Sequence, residues 1–123
     1  MSDYIVRDSG GEKETFAGGA QRDVQDDKPR YNLIPPPALK RLADVYSKGA
    51  LKYQDHNYLK GMPTSRILDS LMRHVEQYRA GDREEDHLAQ IAWNAFAVMM
   101  FEQTRWDDTM DWKEIWDAAK EPD

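Results

Sequence analysis

Cysteine is absent from all 123 residues of this sequence, so neither a disulfide bond nor a thiolate zinc site is possible. A reducing compartment is compatible with that absence. The sequence also lacks an apolar run long enough to span a membrane, and its first residues, MSDYIVRDSGGEKE, lack the apolar segment of a signal peptide. We therefore expect a soluble, cytoplasmic protein that makes no membrane contact.

Positive charge is in short supply. Lys and Arg together number 17 against 23 Asp and Glu, which gives a formal net charge of −6. Because phosphate backbones attract basic surfaces, direct binding to nucleic acid is not expected. A small anionic ligand would need a local basic patch, or divalent cations between protein carboxylates and ligand phosphates.

Several catalytic signatures are missing as well. The sequence contains no P-loop, no GxGxxG, no HExxH and no nucleophile elbow. No stretch alternates clearly between apolar and polar residues with period two, so no strand is predicted. The remaining signals are helical.

Three regions differ in composition. Residues 1–27 are rich in Gly, Asp, Glu, Ser and Gln, which predicts a flexible arm. Four prolines between Pro29 and Pro37 favour an extended entry into a helical domain over residues 28–104. Residues 105–123 are expected to form a C-terminal amphipathic helix. The predicted fold class is all-α: a compact antiparallel bundle of about four helices with a flexible N-terminal arm.

Apolar residues recur at helical spacing in four segments, about 38–53, 65–80, 83–104 and 110–120. Thr64 or Ser65 is the predicted N-cap of the second helix, and Gly81 marks its end. Asp82 followed by Glu85 resembles an acidic capping box for the third helix. The short connection between the second and third helices predicts that they are antiparallel neighbours.

The third helix is apolar on almost every side. From Leu88 to Phe101 every residue is apolar except Gln90 and Asn94, and with His87 these two form one narrow polar stripe. A helix of this kind is buried in a core or in an oligomer interface. Buried amide and imidazole groups are costly unless they are paired, so either another helix or a ligand must lie against the stripe.

Two histidines are predicted to face each other on the second and third helices. His74 and His87, with Asp69 and Asp86 close in sequence, form a plausible nitrogen and oxygen ligand set for a divalent ion. Each acid also has a structural interpretation. Asp69 has the spacing of a helical ion pair with Arg73, and the acidic run that contains Asp86 would stabilise a helix N-terminus.

Basic and polar residues near the first helix are candidate ligand contacts. Lys28 and Arg30 flank a proline and could grip a phosphate, although plain surface charge is the alternative. Lys52 adds positive charge where the first helix ends, and Asn57 in the following loop could hydrogen-bond a base. Gly49 is unfavourable inside a helix, and a close contact with another helix would explain it.

Four ordered blocks of sequence carry a family resemblance: KPRYNLIP, GALKYQDHNYLKGMP, SRILDSLMRH and EDHLAQIAWNAFAVMMFE. In that order they resemble a phage-encoded family of dATP/dGTP diphosphohydrolases, which is related to the MazG-like all-α NTP pyrophosphohydrolases. The resemblance covers roughly residues 28–102. Four blocks with similar gaps are much more specific than any one of them.

The resemblance implies an all-α homo-oligomeric enzyme that uses Mg²⁺ or Mn²⁺. It would cleave a purine deoxynucleoside triphosphate between the α and β phosphates, in the cytoplasm of a phage host. With the residue patterns above, it assigns catalysis to Asp86 and His87. The other expected roles are substrate binding by Lys28, Arg30, Lys52, Asn57, His74 and Asn94, and metal binding by Asp69, Glu84, Asp86 and His87.

One pattern of that wider group is not intact. MazG-like enzymes bind metals through ExxE and ExxD on two antiparallel helices, whereas the second helix here carries Asp69 and Glu76. Glu84 and His87 have the second spacing, with His in place of Asp.

Two other functions therefore stay open from sequence. The first is a non-catalytic nucleotide-binding or protein-interaction module on the same helices. The second is an HD-type phosphohydrolase, which ranks low because Asp86 and His87 stand in the opposite order.

Overall fold

A computed structural model describes residues 10–25 and 27–120. The chain divides into two compact units, the first ending at Ile34 and the second beginning at Pro35. Residues 1–9 and Asp26 of the predicted arm lie outside the described residues.

The first unit contains a small β-hairpin that the sequence did not predict. Strand β1 (Lys13–Thr15) pairs antiparallel with β2 (Gln21–Asp23), and Lys13 forms an ion pair with Asp23 across the register. Gly19 has φ +92° in the connecting turn, a conformation that favours glycine. Strands of three residues are too short to show a period-two pattern. A 3-10 turn over Tyr31–Leu33 follows.

The second unit is helical, and the all-α prediction is confirmed because the hairpin is a minor addition. Five helices occur in the described part of the chain: α1 (Pro36–Lys52), α2 (Thr64–Arg79), α3 (His87–Thr104), α4 (Trp106–Thr109) and α5 (Lys113–Lys120). A 3-10 turn over Asn57–Lys60 lies between α1 and α2. None of the described helices has both the length and the apolar character needed to cross a membrane.

The proline run starts α1 two residues earlier than predicted. Pro36 and Pro37 occupy its first turn, with Pro35 as N-cap. Proline is well tolerated there because the first-turn N–H groups have no partner inside the helix.

Helix α2 ends in a Schellman turn, as the position of Gly81 predicted. The N–H of Gly81 donates to the carbonyl of Tyr78, and the N–H of Asp82 donates to that of Gln77, both at 3.1 Å. Gly81 has φ +95°, which a side-chain-bearing residue rarely adopts. This turn fixes where Asp82 leaves the helix.

The predicted start of α3 is wrong by four residues. The helix begins at His87, and its N-cap is Asp86, whose side chain accepts from the N–H of Ala89. Asp82 and Glu85 therefore do not form the capping box, and the residues between them belong to a loop.

Helix α3 packs against both α1 and α2. Along α2 and α3, Ile67 shares a core cluster with Phe101, and His74 contacts His87, so these two helices are antiparallel as expected. The core cluster is completed by Ala97 and Met110, and fully buried Phe101 contributes roughly 1.5–3 kcal/mol.

One side of α3 is not covered within this chain. Leu88, Phe96 and Met99 are 43%, 45% and 52% exposed. The sequence predicted burial of this helix in a core or in an oligomer interface. Within the described residues α1, α2 and α4 pack against α3 and leave this side exposed, so the core does not account for it.

The predicted N-cap of α2 is also wrong. The cap position is Pro63, and neither Thr64 nor Ser65 caps with its own side chain. Instead the carboxylate of Asp111 accepts from the backbone N–H of Ser65 at 2.9 Å and from its hydroxyl. These two hydrogen bonds lower the pKa of Asp111, and the one from the hydroxyl has the larger effect. A residue 46 positions away therefore replaces the local cap.

We expect Asp111→Ala to lower the free energy of unfolding at pH 7 by about 1 kcal/mol, the usual contribution of a cap. The pKa of Asp111 is lower in the folded state, so this stabilisation is present above the ordinary pKa and is lost as pH falls through the folded value. Urea denaturation at neutral and acidic pH measures the difference. Asp69→Ala, at an exposed position of α2, is the control. If Asp111→Ala were as much less stable than wild type at acidic pH as it is at neutral pH, the result would contradict the cap.

Candidate functional site

Two histidines meet where α2 and α3 converge. The Nδ1 atoms of His74 and His87 lie 2.8 Å apart, and their ring centroids are 5.1 Å apart. At that distance one Nδ1 donates and the other accepts, so the hydrogen bond selects one tautomer for each ring. Burial, and secondarily the neighbouring His87, lower the pKa of His74. The predicted pairing of these histidines across antiparallel helices is observed.

The second nitrogen of His87 has no hydrogen-bond partner among the described residues. His87 is 1% exposed, and its Nε2 is fully buried. Asp82 Oδ2 lies 3.2 Å from this atom, but the contact does not have hydrogen-bond geometry. If Nδ1 of His87 donates to His74, Nε2 carries a lone pair directed toward the carboxylates. A buried lone pair in that position is suited to a cation.

The loop between α2 and α3 holds its acidic residues in place. Asp82 Oδ1 accepts from the N–H of Glu84 at 2.9 Å, which is the main cause of the lowered pKa of Asp82, with His87 adding to it. Arg83 donates to the carbonyls of Tyr78 and Asp82, and its guanidinium lies 4.0 Å from the ring centroid of Tyr78. Arg83 therefore ties the loop to the end of α2.

Asp82, Glu85 and His87 each offer one ligand atom within 4.8 Å of the others. Asp82 is half-buried, Glu85 is exposed and His87 is buried. Two carboxylate oxygens and one imidazole nitrogen are a set that divalent cations accept, and Nε2 makes no hydrogen bond among the described residues. Sequence reasoning placed His87 here but missed Asp82 and Glu85, because it assigned them to a helix cap.

Asp86, predicted to be catalytic and metal-binding, is engaged elsewhere in this structure. Its carboxylate accepts two hydrogen bonds from Arg41 of α1, at 2.8 and 2.6 Å, and one from the N–H of Ala89. Arg41 is the largest cause that lowers the pKa of Asp86 to about 2. Asp86 thus ties the N-terminus of α3 to α1.

Two further predicted metal ligands lie outside the cluster. Asp69 is exposed on α2, and Glu84 is exposed in the loop, where its backbone N–H serves Asp82. Asp69 and Glu84 were predicted as ligands because they are close to the histidines in sequence. In the structure the carboxylates of Asp82 and Glu85 are the ones that lie beside His87.

The other members of the polar stripe have partners within the protein. Gln90 Nε2 donates to Glu85 Oε1 at 3.2 Å, and Asn94 Nδ2 donates to the carbonyl of Gln90 at 2.7 Å. Asn94 is 5% exposed. Among the hydrogen bonds of the described residues, His87 is the one member of the stripe whose side chain bonds to another helix.

The predicted substrate contacts are distributed over both units. Lys28 and Arg30 are exposed in the first unit. In the second unit, Lys52 lies 5.4 Å from the ring centroid of Tyr53, and Asn57 lines a cavity.

That cavity has a volume of about 400 Å³ and lies between α1, the loop after it and α3. Its aromatic wall includes Tyr46, Tyr58 and Trp93, and Gly49 is also part of the lining. The sequence analysis predicted that Gly49 allows close packing of another helix. A Cβ at this position, however, would meet no atom within 4 Å. The packing explanation is therefore wrong.

Comparison with known proteins gives one informative match. The family model described as dATP/dGTP diphosphohydrolase, N-terminal, matches residues 18–111. No curated protein and no solved structure matches the chain.

We expect Asn94→Ala to lower the free energy of unfolding by about 1 kcal/mol, because a buried side-chain hydrogen bond is lost. Urea denaturation measures the effect, and Gln103→Ala at an exposed position of the same helix is the control. Equal stability of the Asn94 variant and the control would show that this hydrogen bond does not stabilise the fold, and would favour a role of the amide in ligand binding.

Proposed function

The chain belongs to the dATP/dGTP diphosphohydrolase N-terminal family, and on that premise we propose that it hydrolyses dATP and dGTP to the monophosphate and pyrophosphate. The oxygen of water forms a bond to the α-phosphorus, and the bond from that phosphorus to the bridging oxygen breaks. Pyrophosphate leaves with the bonding electrons. The observation that carries the proposal is the buried Nε2 of His87, which makes no hydrogen bond among the described residues and lies beside two carboxylates in a chain of this family.

We assign the metal of this reaction, Mg²⁺ or Mn²⁺, to Asp82, Glu85 and His87. A bound divalent ion would supply positive charge against the triphosphate, which the acidic protein otherwise lacks. Mg²⁺ prefers oxygen ligands alone, whereas imidazole also suits transition metals. The imidazole of His87 therefore favours Mn²⁺.

His74 is a positioning residue in this proposal. By accepting the Nδ1 proton of His87, it would keep the lone pair on Nε2 and orient the ring. Asp86 has a similar indirect role, since its contacts with Arg41 and Ala89 fix the first turn of α3, where His87 begins the helix.

Arg73 is our candidate for holding a phosphate. It is exposed on α2 next to His74 and makes no ion pair among the described residues. A guanidinium can bind a phosphate with two parallel hydrogen bonds. Contacts from Lys28, Arg30, Lys52 and Asn94 to the substrate stay predictions, as do assembly into a homo-oligomer and action in the host cytoplasm.

A non-catalytic nucleotide-binding module is the second candidate. The observation that favours it is the small ligand set, three residues instead of paired ExxE and ExxD motifs. Calorimetry with a non-hydrolysable dGTP analogue separates the two: tight binding that does not depend on Mn²⁺, together with absent turnover, supports the module.

We expect the purified protein to release pyrophosphate from dGTP and dATP when Mg²⁺ or Mn²⁺ is added, and to lose this activity in EDTA. Asp82→Asn and Glu85→Gln should each abolish most of it, because each removes a charged ligand. Glu84→Gln, an exposed neighbour outside the cluster, is the matched control. Equal loss in all three variants would argue against the assigned ligands, and no release by wild type would refute the hydrolase.

We expect His74→Phe to weaken Mn²⁺ binding by about 10–100-fold, the usual effect of removing an outer-shell partner. His74→Gln, which keeps a hydrogen-bonding side chain, should recover part of that affinity. Calorimetric titration with Mn²⁺ measures both, and thermal melting shows whether the variants are folded. Equal Mn²⁺ affinity in His74→Phe and wild type would remove His74 from this role.

A further inference from the structure

Gly49 has no structural reason to be glycine. It lies inside α1, where glycine is less favourable than alanine by roughly 0.5–1 kcal/mol, and its φ is not positive. A Cβ at this position would meet no atom within 4 Å. The space beside it is part of the cavity between α1 and α3. A glycine that is neither packed nor strained leaves this space open to a ligand.

The cavity has the size and lining of a small-molecule site. Its volume of about 400 Å³ lies in the range of ligand pockets, which are mostly apolar with a few polar groups. Three aromatic rings form its wall and orient one another. The centroid distances are 5.7 Å for Tyr46–Tyr58, 6.0 Å for Tyr46–Trp93 and 5.9 Å for Tyr58–Trp93.

Polar groups enter the cavity from the loop after α1. Asn57 is half-buried, and its side chain makes no hydrogen bond among the described residues. Asp55, an exposed acidic residue, belongs to the same lining. His56 has φ +60°, the one positive φ among the described non-glycine residues, so the loop holds a strained conformation beside the cavity.

This chemistry selects a neutral aromatic ligand with hydrogen-bonding edges. Aromatic rings stack on bases, an amide both donates and accepts, and a carboxylate accepts from ring or exocyclic N–H groups. An acidic residue in the lining, Asp55, disfavours a phosphate at this position, so we expect the base and not the phosphates to occupy the cavity.

We propose that the cavity lined by Gly49, Tyr46, Trp93 and Asn57 binds the purine base of a nucleotide. This inference rests on the proposed function for the choice of nucleotide. Binding of the base is nevertheless separable from hydrolysis, because it needs neither the metal ligands nor the triphosphate.

The test uses the full chain, labelled with ¹⁵N, in EDTA. dGMP, dAMP, dTMP and 2-deoxyribose 5-phosphate are titrated separately, and the side-chain signals of Trp93 and Asn57 are followed by NMR. We expect dGMP and dAMP to shift both signals, dTMP to bind more weakly, and the base-free sugar phosphate to leave them unchanged.

Gly49→Leu supplies the blocking variant. The Cβ of the leucine would meet no atom within 4 Å, and the rest of the side chain would extend into the cavity. Leucine also favours a helix more than glycine does, so we expect the variant to melt at or above the wild-type temperature. We expect its affinity for dGMP to fall by about tenfold or more, since stacking on the aromatic wall is lost. Ala43→Leu adds the same side chain at an exposed position of α1 outside the cavity and is the matched control.

Three results would overturn the base site: shifts of equal size with the sugar phosphate, shifts with dTMP at least as large as those with purines, or unchanged dGMP affinity in Gly49→Leu. The proposed function has its own readout. Pyrophosphate release from dGTP without base-dependent shifts would leave the hydrolase standing and refute this cavity. Base-dependent shifts without pyrophosphate release would support this cavity and refute the hydrolase.

Discussion

The site depends on one buried contact, the 2.8 Å approach of the two Nδ1 atoms of His74 and His87. An imidazole that is 1% exposed needs partners, and only one of its nitrogens finds a hydrogen bond in the protein. The other, Nε2, has the carboxylate of Asp82 nearby, at 3.2 Å. Beside Asp82 and Glu85 it becomes the reason to expect a cation, and the tautomer set by His74 decides whether it can bind one.

Local backbone structure places Asp82 and Glu85 beside Nε2 of His87. The Schellman turn at Gly81 ends α2, and the Asp86 cap begins α3, so the residues between them form a short constrained loop. Arg41 holds Asp86 from α1, which couples the start of α3 to both of its neighbours. The acidic residues of this loop thus have different surroundings: Asp82 and Glu85 lie beside His87, whereas Asp86 is hydrogen-bonded to Arg41 and Ala89.

Helix α3 serves two candidate sites. His87 at its first position belongs to the metal cluster, and Trp93, six residues later and about 9 Å along the axis, belongs to the aromatic cavity. A third part of its surface, with Phe96 and Met99, is exposed. An apolar helix with one polar stripe is therefore not a uniform core element, and its sides have different surroundings.

Helical periodicity and turn residues were enough to predict the helical class, the pairing of α2 with α3, the end of α2 at Gly81 and the meeting of His74 with His87. These features follow from local spacing and from glycine's access to positive φ. The contacts of the folded chain were needed to show which acids lie beside His87, that Asp111 caps α2, and that Gly49 lines a cavity. Each of those depends on residues distant in sequence or on the exact start of a helix, and composition and spacing do not specify either.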